Sequence, residues 1–125
     1  MNSNHEIRSY RDLRVWQKGM DIAEKCYLLT RNYPKQEMYG MSSQIQRAAV
    51  SVPANIAEGY GRNSKGEYVQ FLRVAQGSLK ELETHLILSV RVKLATSDVA
   101  NPILEECESL GRMIRSLIRS IQASM

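Results

Sequence analysis

The sequence is poor in the residues that mark several protein classes. It has two cysteines, three prolines and seven glycines among 125 residues. So few prolines and glycines exclude collagen and low-complexity chains, and two cysteines are too few for a disulfide framework. The longest apolar runs are only a few residues, and no apolar stretch near Met1 resembles a secretory signal. We therefore expect a cytoplasmic protein with free thiols and no membrane-spanning or membrane-bound segment.

Helical periodicity is the main pattern that the sequence does contain. Apolar residues recur every three or four positions in four segments, whereas the alternation typical of strands is nearly absent. The predicted helices cover about residues 12–31, 42–60, 64–93 and 97–121. Short connections join antiparallel neighbours. The predicted fold class is an all-α, antiparallel up-down-up-down four-helix bundle over residues 11–125, preceded by a flexible tail at residues 1–10.

Several helix ends can be predicted from individual residues. Ser64 fits best as an N-cap, because Glu67 completes a capping box three positions later. Gly59 and Gly61 are predicted to end the second helix. For the other helix starts the candidate N-caps are Asp12 for the first, Ser42 or Ser43 for the second, and Asp98 or Asn101 for the fourth.

The second and third helices carry more apolar surface than one bundle can bury. Each has a second apolar line beside the one predicted to face the core. Single exposed apolar residues are common on monomers, but two such lines favour a subunit interface. We therefore predict a homo-oligomer. The interface candidates are Val50, Ala54, Ala57, Val74, Ser78 and Leu88.

Basic residues are the best candidates for binding a ligand. The sequence has 17 Lys and Arg against 13 Asp and Glu, and residues 8–31 alone carry six bases and three acids. A basic stripe can neutralise phosphates and release their counterions, which indicates a nucleic-acid surface. The alternative is an ordinary solvated helix face. The nucleic-acid-binding candidates are Arg8, Arg11, Arg14, Lys18 and Lys25.

Polar residues also interrupt the apolar lines of the second and third helices. Buried charges must be paired, so we expect Arg47 or Arg62 to meet a carboxylate and fix the helix register or the subunit contact. Asn55 is expected to satisfy backbone groups that Pro53 leaves free. The predicted structural polar network contains Gln44, Arg47, Asn55, Glu58, Arg62 and Glu81.

A second basic line, formed by Arg112, Arg115 and Arg119, lies near the end of the fourth helix. We interpret it as structural, because a helix carboxyl end favours cations and Glu108 can pair with Arg112 one turn away.

Motifs for catalysis or metal binding are missing from the sequence. It contains no Glu-x-x-His, Cys-x-x-Cys or phosphate-binding glycine loop. Cys26 and Cys107 fall on or beside apolar stripes, which predicts core packing. Trp16 is also predicted to pack in the core, with base stacking as the alternative. We expect a non-enzymatic protein without cofactor or metal.

Three segments resemble the bacterial four-helix-bundle proteins encoded in intervening sequences of large-subunit ribosomal RNA genes. They are Leu-Arg-Val-Trp-Gln-Lys at residues 13–18, the long run at residues 39–59, and Gly-Ser-Leu-Lys-Glu-Leu-Glu-Thr at residues 77–84. The likeness extends over about residues 10–121. It implies an antiparallel four-helix bundle that assembles into a ring of five subunits.

This resemblance also suggests partners. A related group of bundle proteins serves as the accessory subunit of diversity-generating retroelements, where a basic ring binds nucleic acid and a reverse transcriptase. By analogy, the chain is expected to bind structured RNA or DNA. The alternative is a scaffold for a reverse transcriptase or another protein, without nucleic-acid contact of its own. One departure from the family pattern is the long and β-branched residues at Val90–Leu94, where a glycine-containing turn is usual. They favour a longer third helix.

Overall fold

The computed structural model describes residues 6–125, which form four α-helices, two short 3-10 helices and no strand. The prediction of an all-α protein with four helices is thereby confirmed. The 3-10 helices are Tyr10–Asp12 and Lys35–Glu37. The α-helices are α1 (Arg14–Thr30), α2 (Met41–Tyr60), α3 (Lys65–Arg91) and α4 (Ser97–Ala123).

One predicted helix start is confirmed, at Ser64. Its hydroxyl accepts a hydrogen bond from the backbone N–H of Glu67, 3.1 Å away, and so satisfies one of the free donors at the beginning of α3. The predicted starts at Asp98 and Asn101 are wrong, because α4 begins at Ser97 after the N-cap Thr96.

The predicted N-caps of the first two helices are also wrong. Asp12 belongs to the first 3-10 helix, and its carboxylate accepts hydrogen bonds from the backbone N–H groups of Arg8 and Ser9 at 2.9 and 3.2 Å. These bonds hold the pKa of Asp12 below its ordinary value. Helix α1 consequently begins after Leu13 without a side-chain cap.

Helix α2 begins one residue before the predicted cap, at Met41. The carboxylate of Glu37 accepts a hydrogen bond from the backbone N–H of Met41, 3.1 Å away. A residue of the preceding 3-10 helix therefore satisfies the free donor, and Ser42 is buried inside the helix instead of capping it.

Helix α3 ends before residue 93, its predicted last residue, so the expectation of a longer helix is wrong. Its last residue is Arg91, and Lys93 adopts a left-handed conformation with φ of 69°. The backbone N–H of Leu94 donates to the carbonyl of Ser89 (2.8 Å), and that of Lys93 donates to the carbonyl of Val90 (3.1 Å). These two bonds form a Schellman motif, with a lysine at the position where glycine is preferred.

All four helices contribute to a single apolar core. Each packs against two others, α1 and α3 both lying against α2 and α4, and α2 and α3 share the most extensive contact. Buried examples, one from each helix, are Ile22, Ile56, Leu79 and Ile114.

A glycine allows the close approach of α2 and α3. A Cβ atom at Gly59 would lie 2.7 Å from the Cβ of Phe71 and 3.2 Å from the Cδ1 of Tyr68. The prediction that Gly59 ends α2 is wrong. This residue lies inside the helix, and the helix ends at Tyr60, with Gly61 as its C-cap.

Both cysteines are free and buried, as their apolar surroundings in the sequence predicted. Burial raises the pKa of the Cys26 thiol to about 12 and also raises that of Cys107, because a thiolate would be poorly solvated in the core. Trp16 is half-buried and packs against the core, as predicted.

Residues 6–10 of the predicted tail belong to the described part of the chain. Residues 1–5 of it lie outside the described residues. At the end of the tail, Ser9 caps the first 3-10 helix and Tyr10 forms part of that helix. The division at residue 10 stays a prediction. Within residues 6–125, no helix combines the length and the apolar character that crossing a membrane requires.

Candidate nucleic-acid interface

The beginning of α1 lies beside the end of α4. Arg14 lines one wall of a shallow groove of about 340 Å³, and Ser116 and Ser120 line the other. The beginning of α3 reaches the same region, because the Nζ of Lys65 donates to the carbonyl oxygen of Ser124 at 3.0 Å. The end of α2 is held nearby by its short connection to α3. Four chain segments thus meet at one end of the protein.

The other four segments meet at the opposite end. Lys25, in the second half of α1, forms an ion pair with Glu106, in the first half of α4. The amide of Gln46, near the beginning of α2, donates to the hydroxyl of Thr30 at the end of α1, at 3.0 Å. The end of α3 and the beginning of α4 are joined by a short connection.

Charge is distributed unequally between these two ends. We define the basic half as residues 6–20, 51–77 and 110–125, which contain ten Lys and Arg against four Asp and Glu, a net charge of +6. The acidic half, residues 21–50 and 78–109, contains seven Lys and Arg against nine Asp and Glu, a net charge of −2. The overall charge of +4 is therefore distributed unevenly along the helices, with a positive half and a negative half.

Two of the five predicted nucleic-acid-binding residues, Arg8 and Lys25, lie beside carboxylates. Arg11 lies in the first 3-10 helix, and Arg14 and Lys18 lie on α1. Lys25 lies in the acidic half, where the hydrogen bond to Glu106 raises its pKa. Arg8 is 3.7 Å from Glu6, and both side chains are largely exposed. Among residues 6–125, the three candidates without an ion pair are thus Arg11, Arg14 and Lys18.

An aromatic pair supports the basic residue nearest the end of the protein. The guanidinium of Arg11 lies over the ring of Tyr10, 5.3 Å from its centroid. The Tyr10 ring in turn meets Trp16 edge to face, with centroids 5.3 Å apart and planes at 70°. The amide of Gln17 donates to the carbonyl of Arg11 at 2.9 Å and ties the 3-10 helix to α1. This arrangement was not predicted from the sequence, because Tyr10 fell in the predicted flexible tail.

The arginines of α4 add to the basic half. Arg112, Arg115 and Arg119 are exposed, and none forms an ion pair with the described residues. The predicted pair between Glu108 and Arg112 is therefore wrong, and the structural interpretation of this line loses part of its support.

The predicted polar network is mostly a set of surface contacts. Arg62 pairs with Glu58 at 2.7 Å, as expected for one of the two arginines, but both side chains are substantially exposed. Arg47 and Gln44 are exposed, and within residues 6–125 Arg47 has no carboxylate partner. Glu81 lies 3.6 Å from the Nε2 of His85 on the same helix. An exposed ion pair such as Arg62 with Glu58 contributes little to stability.

A smaller polar cluster joins α2 to α3 instead. The hydroxyls of Ser51 and Ser78 are 2.8 Å apart, and the amide of Asn55 donates to the carbonyl and hydroxyl of Ser51 at 2.8 and 3.0 Å. The carbonyl that Pro53 leaves free is that of Ala49, so Asn55 does not satisfy it and that expectation is wrong.

The predicted interface residues are exposed with one clear exception. Val50, Val74 and Leu88 are between 43% and 48% exposed, which is high for apolar side chains. Ala54 is exposed and Ala57 is half-buried. Ser78 is buried between α2 and α3 in the polar cluster, so it is not available to a partner subunit.

A second groove lies between α1 and α4 in the acidic half. It has a volume of about 370 Å³ and is lined mainly by apolar residues, among them Leu28, Val99 and Pro102. Leu28 is 47% exposed and Val99 50% exposed. Within residues 6–125, no group of three or more His, Cys, Asp or Glu side chains is placed to hold a metal ion.

Comparison with known proteins identifies a family for most of the chain. The sequence profile of the family described as 23S rRNA-intervening sequence protein matches residues 11–116. A similar solved structure is that of a protein of unknown function from the S23 ribosomal protein family of Bacteroides thetaiotaomicron. It is 26% identical and superposes with a TM-score of 0.75, over 83% of this chain and 97% of the other. No curated protein matches the sequence.

Proposed function

The chain belongs to the 23S rRNA-intervening sequence protein family, and we propose that it is a non-enzymatic protein that binds structured RNA or DNA through its basic half. The observation that carries this proposal is the unequal charge of the two halves, +6 against −2. Neutralising phosphates releases their counterions, so a surface with surplus positive charge favours a polyanion.

Within the basic half, the contact is assigned to Arg11, Arg14 and Lys18, together with the exposed arginines of α4. Arg14 lines the groove between α1 and α4, and Ser116 and Ser120 on the opposite wall offer hydroxyl groups to phosphate oxygens. Lys25 is left out, because Glu106 already neutralises its charge.

The assembly proposed with this function is a cyclic homo-oligomer of antiparallel bundles. The contacts between opposite ends of neighbouring helices, such as Lys65 with Ser124 and Thr30 with Gln46, support the antiparallel direction. The exposed Val50, with Val74 and Leu88, supports association through α2 and α3. Five copies, the number implied by the family resemblance, would repeat the basic half five times.

Binding is favoured over catalysis by the state of the nucleophilic groups. The thiols of Cys26 and Cys107 are buried and have raised pKa values, so neither is poised to react at neutral pH. Free, buried thiols suit a reducing compartment, and we propose the cytoplasm.

The test is a fluorescence-anisotropy titration against a labelled stem-loop RNA at several salt concentrations. The wild-type protein should bind at low salt, and its affinity should fall steeply as salt rises. The variant carrying Arg11→Glu, Arg14→Glu and Lys18→Glu should lose most of this affinity and keep its molar mass.

A matched control carries the same change in charge on the acidic half. Arg31→Glu, Lys35→Glu and Arg91→Glu alter three exposed residues that have no ion pair within residues 6–125. This control should retain more affinity than the first triple variant. Absence of binding at low salt, an affinity indifferent to salt, or equal losses in both variants would contradict the proposal.

A second candidate function is that of a protein scaffold, for example the accessory subunit of a reverse transcriptase. The mainly apolar groove of the acidic half favours it, since Leu28 and Val99 in its lining expose about half of their surface. In that case the chain should show no salt-dependent RNA binding of its own, and Val99→Asp should abolish a nuclease-resistant complex with a purified reverse transcriptase.

A further inference from the structure

We propose that the first 3-10 helix is a base-stacking platform, built by Arg11 on Tyr10, that makes the protein prefer unpaired nucleotides to double-helical RNA. This inference rests on the proposed function and adds the class of nucleic acid that the basic half selects. Base stacking would use Tyr10 and Arg11 together, whereas phosphate binding by charge requires only the arginine.

The platform presents a flat cation to solvent. Arg11 is exposed, and its guanidinium lies over the Tyr10 ring, which rests on the half-buried Trp16. A guanidinium plane and an aromatic ring are both surfaces on which nucleobases stack. Tyr10 therefore contacts the guanidinium, and the exposure of Arg11 leaves it accessible to a base.

The turn that carries Arg11 is fixed by hydrogen bonds. The hydroxyl of Ser9 accepts from the backbone N–H of Arg11 at 3.1 Å, and the amide of Gln17 holds the Arg11 carbonyl at 2.9 Å. Because these bonds already order the turn, it loses less conformational freedom when a base binds than an unrestrained turn would.

The nearby acid does not compete for the guanidinium. Asp12 follows Arg11 directly, but its carboxylate accepts hydrogen bonds from the backbone N–H groups of Arg8 and Ser9, and it forms no ion pair with Arg11. Arg11 consequently keeps its charge for a ligand, and Arg14, one turn further along, can take the adjoining phosphate.

Stacking on this platform distinguishes paired from unpaired bases. In a double helix the faces of the bases are covered by their neighbours, whereas in loops and single strands they can leave the stack. Phosphate contacts occur with both kinds of RNA. The platform thus adds affinity only for the unpaired form.

The experiment compares a labelled 12-nucleotide single-stranded RNA with the corresponding 12-base-pair duplex. Wild-type protein should bind the single strand more tightly, by about fivefold or more, the lower end of the contribution of one stacked base. The emission of Trp16, the only tryptophan, should change when the single strand binds and stay constant with the duplex.

Two variants with conserved charge separate stacking from electrostatics. Arg11→Lys keeps the positive charge and removes the planar guanidinium. The variant should therefore lose the preference for the single strand and retain the salt dependence of RNA binding. Arg91→Lys, at an exposed arginine of the acidic half, is the matched control and should keep the preference. Tyr10→Leu preserves an apolar contact for Trp16 and should resemble Arg11→Lys.

Equal affinity of the wild type for both RNAs would overturn the platform and leave the proposed function standing. Equal behaviour of Arg11→Lys and Arg91→Lys would do the same. If neither RNA shows salt-dependent binding, the proposed function fails, and the platform fails with it.

Discussion

Replacing Gly59 by alanine tests the account of how α2 and α3 pack. The new Cβ would lie 2.7 Å from the Cβ of Phe71, and 3.2 Å from both the Cδ1 and the carbonyl oxygen of Tyr68. Carbon atoms in contact prefer about 3.5–4.0 Å. The Cβ of Phe71 is fixed to the backbone, so the side chain cannot turn away. The two helices would have to move apart by the better part of an ångström.

Two effects of opposite sign determine the size of the change. Alanine is favoured over glycine inside a helix by about 1 kcal/mol. Overpacking a close contact typically costs about 1–3 kcal/mol, and a clash with an atom fixed to the backbone belongs near the upper end. We therefore expect Gly59→Ala to lower the free energy of unfolding by about 1–2 kcal/mol.

The other helical glycines supply a graded set of controls. Gly77 lies within α3 and is exposed, and a Cβ there would have no neighbour within 4 Å, so Gly77→Ala should stabilise the protein by about 1 kcal/mol. A Cβ at Gly19 would lie 3.4 Å from the Cβ of Pro53, so Gly19→Ala should have an intermediate effect.

The measurement is urea unfolding followed by circular dichroism, at one protein concentration because any association contributes to stability. Static light scattering on the same samples checks that the variants keep one assembly state. If Gly59→Ala proves as stabilising as Gly77→Ala, the close approach of α2 and α3 does not require a glycine at position 59.

Three further predictions follow from single residues. Lys93→Gly should raise the free energy of unfolding by about 0.5–1 kcal/mol, measured by urea denaturation, because glycine adopts the left-handed φ of 69° without strain. Lys18→Glu should weaken RNA binding in an anisotropy titration more than Lys25→Glu, whose position is already neutralised; equal losses would contradict this. Thermal unfolding should show stability falling between pH 9 and 12, because burial raises the pKa of Cys26 from 9.0 to about 12 and that of Tyr68 from 10.0 to about 12. The folded protein then retains protons that the unfolded chain releases; an unchanged melting temperature over this range would count against it.

Local signals in the sequence predicted those parts of the fold that depend on local contacts. The Ser64 cap was found because its partner, Glu67, lies only three residues away. The same kind of signal failed at Asp12. Its carboxylate can cap the N–H groups that follow it or accept from those that precede it, and the backbone of the 3-10 helix selects the preceding ones, Arg8 and Ser9.

Contacts between distant parts of the chain could not be predicted in the same way. Lys25 and Glu106 are 81 residues apart, and only the packing of α1 against α4 brings them together. The sequence therefore presented Lys25 as part of a basic stripe that the folded protein interrupts. Gly59 was interpreted as a helix end for a similar reason, because the side chains that require a glycine there belong to α3.

The opposite charges of the two halves have a kinetic consequence. A protein with a net charge of +6 at one end and −2 at the other has a large permanent electric dipole along its helices. In the field of an RNA molecule, such a dipole experiences a torque that turns the positive end forward before contact. The association rate should then depend steeply on ionic strength, while the dissociation rate responds mainly to the short-range contacts.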